Sequence, residues 1–329
     1  MSTTVDIGMP TRGAAPYIGE AVESVLAQTH EDWTLLISEN GPGGGELEER
    51  LGPYLADPRI RYSPTGEDLG AARNHTRLIQ AGSAPYVGIL HDDDRWHPGF
   101  LTRRVAFLET HPDCGFVFSA NLEIDEHSEE TGRSKLVLSA GAHPPEELVP
   151  RLVEHNLIAI PTVLVRRSAY ETVGPEFDER SLSFDFEMWL RLAIAFSAGY
   201  LPVWDADYRV HRAQVTMTTL RRGRQRLYLH EHVDELLAGA PHIRVSPALR
   251  RRQLAEAHLI AALDAIEDSQ RADAQGHLAA ARRAYPLAVF DPRFPAALAA
   301  LALGARGRAL LGRLRFLVLR KGLRVHLRR

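Results

Sequence analysis

From Val5 onward the chain alternates short, mainly apolar runs with segments whose apolar residues recur at helical spacing. Residues 5–9 form the first run, ended by Pro10, which is the pattern of a buried strand. Between residues 17 and 28, Ile18, Ala21, Val22, Val25 and Leu26 fall at i, i+3, i+4, i+7 and i+8, one stripe of a helix. The alternation continues through strands at 33–38, 60–63 and 86–90 and helices at 46–56, 70–81 and 99–111, with Pro112 as the stop. Short connections between such elements predict an α/β fold, a mostly parallel sheet covered by helices on both faces. Ligands of such sheets bind beyond the carboxyl ends of the strands. Pro10, Thr11 and Arg12 follow the first strand, Glu39 and Asn40 the second, and Asp92, Asp93 and Asp94 the fourth, so three polar clusters should share one crevice.

Residues 115–138 read as shorter strands around a polar loop at 125–134, a hairpin in a mixed part of the sheet. A helix at 145–155, a strand at 162–166, a helix at 185–195 and two paired short strands at 201–205 and 207–210 complete this part. Beyond about residue 218 the pattern is helical, over 220–237, 246–266, 271–284 and 294–319. The expected division is a catalytic domain over 1–216 and a helical C-terminal region over 217–329, with no internal repeat.

Of the 329 residues 45% are apolar and 25% charged, the balance of a globular protein, and a net charge of −3 gives no reason to expect nucleic acid as a partner. That average hides an asymmetry. No acidic residue follows Asp291, whereas Arg293, Arg306, Arg308, Arg313, Arg315, Arg320, Lys321, Arg324, Arg328 and Arg329 do. Interleaved with leucines, they predict a basic amphipathic tail, which either lies on an anionic membrane or packs its leucines inward. Cys114 is the sole cysteine, which excludes an intramolecular disulfide and argues against a Cys-based zinc site. The N-terminal residues lack the basic and long apolar regions of a signal peptide, and no apolar run approaches the roughly 20 residues of a membrane span. A cytoplasmic enzyme is the expectation.

Three adjacent carboxylates after an apolar strand repel one another and are costly to bury unpaired. A hard divalent cation, Mn²⁺ or Mg²⁺, shared with phosphate oxygens removes that cost; a solvated loop with Asp94 as a helix cap is the alternative. Two other patterns carry no chemistry. His230 and His232 stand at i, i+2 and diverge on a helix, and the run 41–45 lacks the Lys and Ser/Thr of a phosphate-binding P-loop.

In order and spacing, VDIGMPTRGAAPYIGEAVESVLAQTHEDWTLLISENG, RNHTRLIQAGSAPYVGILHDDDRWHPGFL and FDFEMWLRLA resemble three segments of family 2 glycosyltransferases. These are the opening segment, the Arg-Asn helix with its Asp-x-Asp region, and the helix bearing the catalytic base. The resemblance covers roughly residues 4 to 215. It implies a GT-A fold and metal-assisted, inverting transfer of a sugar from a nucleotide-diphosphate donor to a hydroxyl on a saccharide, lipid-linked or other acceptor. Residue by residue, it implies that Pro10, Thr11 and Arg12 line the nucleotide base, with Glu39 and Asn40 where the family often has two acidic residues. Arg73 and Asn74 lie near the donor, Asp92 near the ribose, and Asp93 on the cation with His211 completing its sphere. Asp94 orients the loop. Asp185 is the general base, and Trp189, four residues on along the same helix face, lines the acceptor side with it. Two positions depart from the family pattern: His91 replaces an Asp, and Phe184 replaces the Glu that precedes the base. A Gln-x-x-Arg-Trp signature of processive polymerases is absent, which favours one sugar per encounter. Two other readings stand beside this one: a sugar-1-phosphate nucleotidylyltransferase, whose Gly-rich Arg/Lys loop is missing after the first strand, and a non-catalytic nucleotide-sugar-binding scaffold.

Overall fold

The computed structural model describes residues 5–13, 15–43, 45–211, 223–304 and 306–307. They belong to two compact units, Met1–His211 and Arg212–Arg329.

The first unit is built on one mixed sheet. Its strands are β1 (Val5–Thr11), β2 (Trp33–Glu39), β3 (Ile60–Tyr62), β4 (Tyr86–Ile89), β5 (Arg95–Trp96), β6 (Cys114–Ile124), β7 (Glu130–Arg133), β8 (Gly141–His143), β9 (Leu164–Arg166) and β10 (Ser197–Arg209). The order is β3-β2-β1-β4-β9-β6-β10-β5, with β7 on β6 and β8 on β10. Strands β3, β2, β1 and β4 pair in parallel, β9 runs antiparallel between β4 and β6, and β6 and β10 are parallel again. Helices α1 (Ile18–Leu26), α2 (Glu46–Leu51), α3 (Ala71–Gln80), α4 (Phe100–Thr110), α5 (Pro145–Glu154), α6 (Arg167–Val173) and α7 (Phe184–Ala195) accompany it. The apolar stripe of α1 buries Ile18, Ala21, Val22 and Val25 in a core shared with Val5, Ile7, Met9, Leu35 and Ile37.

Pro10 does not end β1. Strand β4 pairs β1 only over Val5–Gly8, so Pro10, facing the same edge as Gly8, lies past the last ladder bond and its missing N–H costs nothing there. The two short strands expected at 201–210 are one strand, β10, kept continuous by register shifts around Leu201, Trp204 and Asp207 that absorb Pro202. Helix α3 lies tight on the sheet because Gly8 lacks a side chain: a Cβ there would meet Leu78 Cβ and Ile89 Cδ1 at 2.8 Å.

The second unit is helical: α8 (Gly223–Ala238), α9 (Pro247–Glu267), α10 (Arg271–Ala284), a 3-10 turn (Pro286–Phe290) and α11 (Arg293–Leu303). Small residues, among them Ala255, Ala262, Ala274, Ala281 and Ala297, allow these helices a close approach around Leu259, Leu278 and Leu301. The single helix expected over 294–319 stops at Leu303, where Gly304 takes φ 58° as the C-cap. Residues 308–329, with most of the basic cluster, lie outside the described residues.

Candidate functional site

The carboxyl ends of the parallel strands carry the site. After β4, Leu90 N still donates to Gly8 O (3.0 Å), and the chain then turns through His91, Asp92, Asp93 and Asp94. This turn is held by Arg209, the last residue of β10, whose side chain is fully buried. Arg209 N donates to Asp94 Oδ1 (2.9 Å) and its Nε to the Asp93 carbonyl (2.8 Å). The rest of the guanidinium reaches Asp125 O, Ser128 Oγ and Glu20 Oε2, each at 2.9 Å. One side chain thus ties the acidic turn to the β6–β7 loop and to α1. Tyr17 lies beneath the guanidinium at 4.1 Å and against the His211 ring at 5.5 Å.

Within the turn, one ligand atom each of His91, Asp93 and Asp94 lies within 4.8 Å of the others. Asp94 is 1% exposed and its Oδ2 has no hydrogen-bond partner. Burial and the charge of Asp93 push the Asp94 carboxyl well above the usual range, against the Arg209 N–H. The same two causes bring Asp92 up to about 7, although Thr11 Oγ1 donates to its Oδ2 at 2.5 Å. Burial lowers the His91 imidazole, with Asp93 pulling the other way. Behind it, burial and His91 hold His75 down to about 3. A buried carboxylate oxygen left without a partner beside a second carboxylate is a costly arrangement for an apo protein and a fitting one for a divalent cation. His211, expected as a ligand, stands outside these three groups, with Nε2 3.0 Å from Asp93 Oδ2. His91, absent from the expected ligands, stands inside.

The other two strand ends meet this turn as expected, joined by a residue that sequence reasoning missed. Asn40, 8% exposed, donates from Nδ2 to Asp68 Oδ1 and accepts from Leu69 N, both at 2.8 Å, and its backbone N–H bonds Thr11 O. Asp68 in turn pairs with the exposed Arg12 at 2.8 Å. The Gly70 N–H, then Asn40 and Arg12, outweigh slight desolvation and keep its carboxyl below the ordinary range. Glu39 is buried and accepts from the Tyr62 hydroxyl. Asn74, expected beside the donor, is 1% exposed and spends its amide on Ser38: it accepts from Ser38 Oγ (2.5 Å) and donates to Ser38 O (3.0 Å). Its place is behind the site, bracing α3 on β2. Arg73 is exposed, pairs with Glu179 at 3.4 Å, and lines an open groove of about 480 Å³ with Thr76, Arg77, Glu176 and Phe177.

Asp185 sits in the first turn of α7, half-buried; burial raises its carboxyl and the Phe186 N–H partly offsets this. Trp189 does not line a cleft beside it. The face shared with Met188 is the core face of α7, and Trp189 is 2% exposed. Glu187 points elsewhere, to Arg191 Nε at 2.7 Å. Phe184, the departure before the base, packs on His75 (5.0 Å) and Phe177 (5.4 Å). Sequence reasoning missed the contacts of Arg209, His75 and Asp68 and the closeness of His91 to Asp93 and Asp94. The available signals were a cation two residues before the candidate His211 and a histidine on the helix facing the acidic turn.

A mostly parallel sheet whose strand ends gather an acidic turn and a polar rim, flanked by helices, is the arrangement of a GT-A fold. Residues 6–174, just over half of the chain, match the family model described as glycosyl transferase family 2. The chain belongs to that family and is a glycosyltransferase. It is 22% identical over 215 residues to an uncharacterized glycosyltransferase of Methanocaldococcus jannaschii, covering 64% of this chain and 71% of the relative. In fold it is similar to S. aureus TarS 1-349 in complex with UDP-GlcNAc, with a TM-score of 0.65 at 12% identity, covering 97% and 92% of the two chains. It is also similar to the mannosyltransferase PcManGT of Pyrobaculum calidifontis in complex with GDP-Man and Mn²⁺, with a TM-score of 0.52 at 18% identity, covering 95% and 84%.

Proposed function

We propose that this glycosyltransferase moves one sugar per encounter from a nucleoside-diphosphate donor to an acceptor hydroxyl, with inversion, using a divalent cation at the end of β4. The observation that carries the reading is the unpartnered, buried Asp94 Oδ2 facing His91 and Asp93. When bound there, Mn²⁺ or Mg²⁺ would neutralise charge on the diphosphate leaving group. Asp93, Asp94 and His91 would hold it, and His211, with Nε2 3.0 Å from Asp93 Oδ2, would orient that carboxylate. Asp92 faces the ribose and accepts the Thr11 hydroxyl on its other side. Arg12 and Asp68 form the exposed rim for the base, where Asn40, Pro10 and Glu39 set the backbone; Asp68 supplies the carboxylate that Asn40 lacks. Asp185 takes the acceptor proton as the oxygen attacks the anomeric carbon from the face opposite the leaving group. A single displacement inverts configuration and needs no covalent intermediate. The basic C-terminal segment is the part we assign to contact with an anionic membrane surface, and among the described residues no helix is long and apolar enough to cross a membrane.

A melting panel of UDP-, dTDP- and GDP-sugars, with and without Mn²⁺, tests the site. One donor should raise the midpoint by mass action, and do so in a cation-dependent way that Asp93→Ala abolishes. Equal shifts in mutant and wild type would remove Asp93 from the site. Product of retained anomeric configuration, seen by NMR, would overturn the single displacement.

A further inference from the structure

The rings of His75 and His91 meet edge to face, with centroids 5.3 Å apart and planes at 83°, and their Nε2 atoms are 3.0 Å apart. Only one proton fits between two ring nitrogens at that distance, and His75 decides which ring owns it. Its Nδ1 lies 2.8 Å from the carbonyl oxygen of Ala71, one turn back on α3. A carbonyl oxygen only accepts, so Nδ1 carries a proton. His75 is 4% exposed and packed between Phe177 (5.6 Å) and Phe184 (5.0 Å), surroundings that disfavour a second proton and its charge. Its Nε2 is therefore a bare acceptor. The shared proton belongs to His91 Nε2, and His91 Nδ1 is left with a lone pair. That nitrogen faces Asp94 Oδ2 at 3.7 Å, too far for a hydrogen bond. The atoms converging here are thus a nitrogen lone pair and carboxyl oxygens, with no hydrogen bond between His91 and Asp94.

We propose that His91 Nδ1 is a direct ligand of the bound cation, that His75 is the positioning residue that holds it in the ligating tautomer, and that the site thereby selects a transition-metal cation over Mg²⁺. The proposal rests on the cation reading above and deepens it. Mg²⁺ takes oxygen ligands and dehydrates reluctantly, whereas imidazole suits first-row transition metals. Ligating histidines in general donate their outer N–H to an acceptor that fixes ring and tautomer. In this chain that acceptor is a second neutral imidazole. The two departures from the family pattern meet at this point, since His91 and Phe184 both contact His75.

The test is cation binding by the full chain, with Mn²⁺ or Mg²⁺ as the probe and a His211→Gln background so that one imidazole remains at the carboxylates. Electron spin-echo spectra of bound Mn²⁺ should show a directly coordinated nitrogen. Adding His91→Asp should abolish that signal while Mn²⁺ still binds, and should narrow the preference for Mn²⁺ over Mg²⁺ by about tenfold or more. His75→Leu should weaken Mn²⁺ binding by roughly 10- to 100-fold. His75→Gln, whose side-chain oxygen can accept the same N–H, should restore most of it; equal binding by the Leu and Gln variants would reduce His75 to packing. Bound Mn²⁺ without a nitrogen signal before His91 is changed would overturn the His91 ligand and leave the cation reading standing. Absence of Mn²⁺ binding in every form, wild type with UDP or GDP included, would overturn the cation reading itself.

Discussion

Asp185 gains its chemical character from where α7 begins. Burial lifts its carboxyl above the ordinary aspartate range, and the Phe186 N–H keeps that rise in check. A general base works as the carboxylate, so transfer should fall as pH drops through this raised value, earlier than for an exposed aspartate. Asp185→Asn keeps shape and can still accept the Phe186 N–H but cannot take a proton; turnover should fall by about 10²–10⁴-fold at unchanged donor affinity, measured by donor titration and steady-state rates. Wild-type turnover in that variant would leave Asp185 only a first-turn residue that accepts the Phe186 N–H. At this scale the candidates that the sequence offers are the residues whose type announces chemistry, the Asp triplet and Asp185. Partners that act through a fold contact were not. Asp68 reaches Asn40, and Arg209 reaches Asp94, only once separate elements pack together. Trp189 was misread because i+4 spacing identifies a shared face without saying whether that face turns toward ligand or core.

At the scale of elements, the first four strands and their helices were legible because each carries its own period, and α1 buries the residues its stripe names. Strand β10 was not, since register shifts break its alternation, and β5, β8 and α6 are too short to show a period. Besides its ladders to β6, β8 and β5, β10 is tied to α4 by a buried ion pair. Asp205, 3% exposed, accepts from Arg104 Nη1 and Nη2, both at 2.9 Å, and pairs with Arg103 at 2.8 Å; Arg104 is fully buried and also donates to Thr162 O and Ser119 Oγ. Burial alone would raise the Asp205 carboxyl, but the charge and hydrogen bonds of Arg104 and then Arg103 leave it lowered. A lowered folded-state value means that the contribution is present above the unfolded carboxylate pKa and is lost as pH falls through the folded one. Asp205→Asn strands a buried guanidinium between α4 and β10 and should cost about 3–5 kcal/mol in denaturant unfolding near neutral pH. A much smaller loss, or one that persists unchanged in strong acid, would show that the pair is not what holds these elements.

At the scale of the whole molecule, the proposed membrane contact belongs to the second unit. Helix α11 is two-sided: Ala297, Ala300 and Leu301 are buried in the core of its unit, while Leu298 and Leu303 are 50% and 56% exposed. Leu287 and Phe290, just before it, are 56% and 80% exposed. The leucines expected to act as one apolar stripe therefore divide, Leu301 packing inward and Leu298 facing out. Charge segregation was legible in the sequence, whereas the division of the stripe depends on a helix ending at Gly304. Arg313, Arg315, Arg320, Lys321, Arg324, Arg328 and Arg329 follow. Each cation near an anionic surface contributes on the order of 1 kcal/mol, and exposed Phe and Leu side chains add apolar insertion. Full-length protein should sediment with anionic vesicles at low salt, stay in the supernatant with neutral ones, and be released as salt screens the charges. Because Ala297, Ala300 and Leu301 are core residues and Gly307 lies buried against Ala300, the informative truncation falls after Gly307, which keeps α11 and the residue packed on it. That truncated chain should lose vesicle binding and keep its melting temperature. Equal sedimentation of both chains would move the contact to the exposed Leu287 and Phe290, and full-length protein left in the supernatant with anionic vesicles would end the membrane assignment.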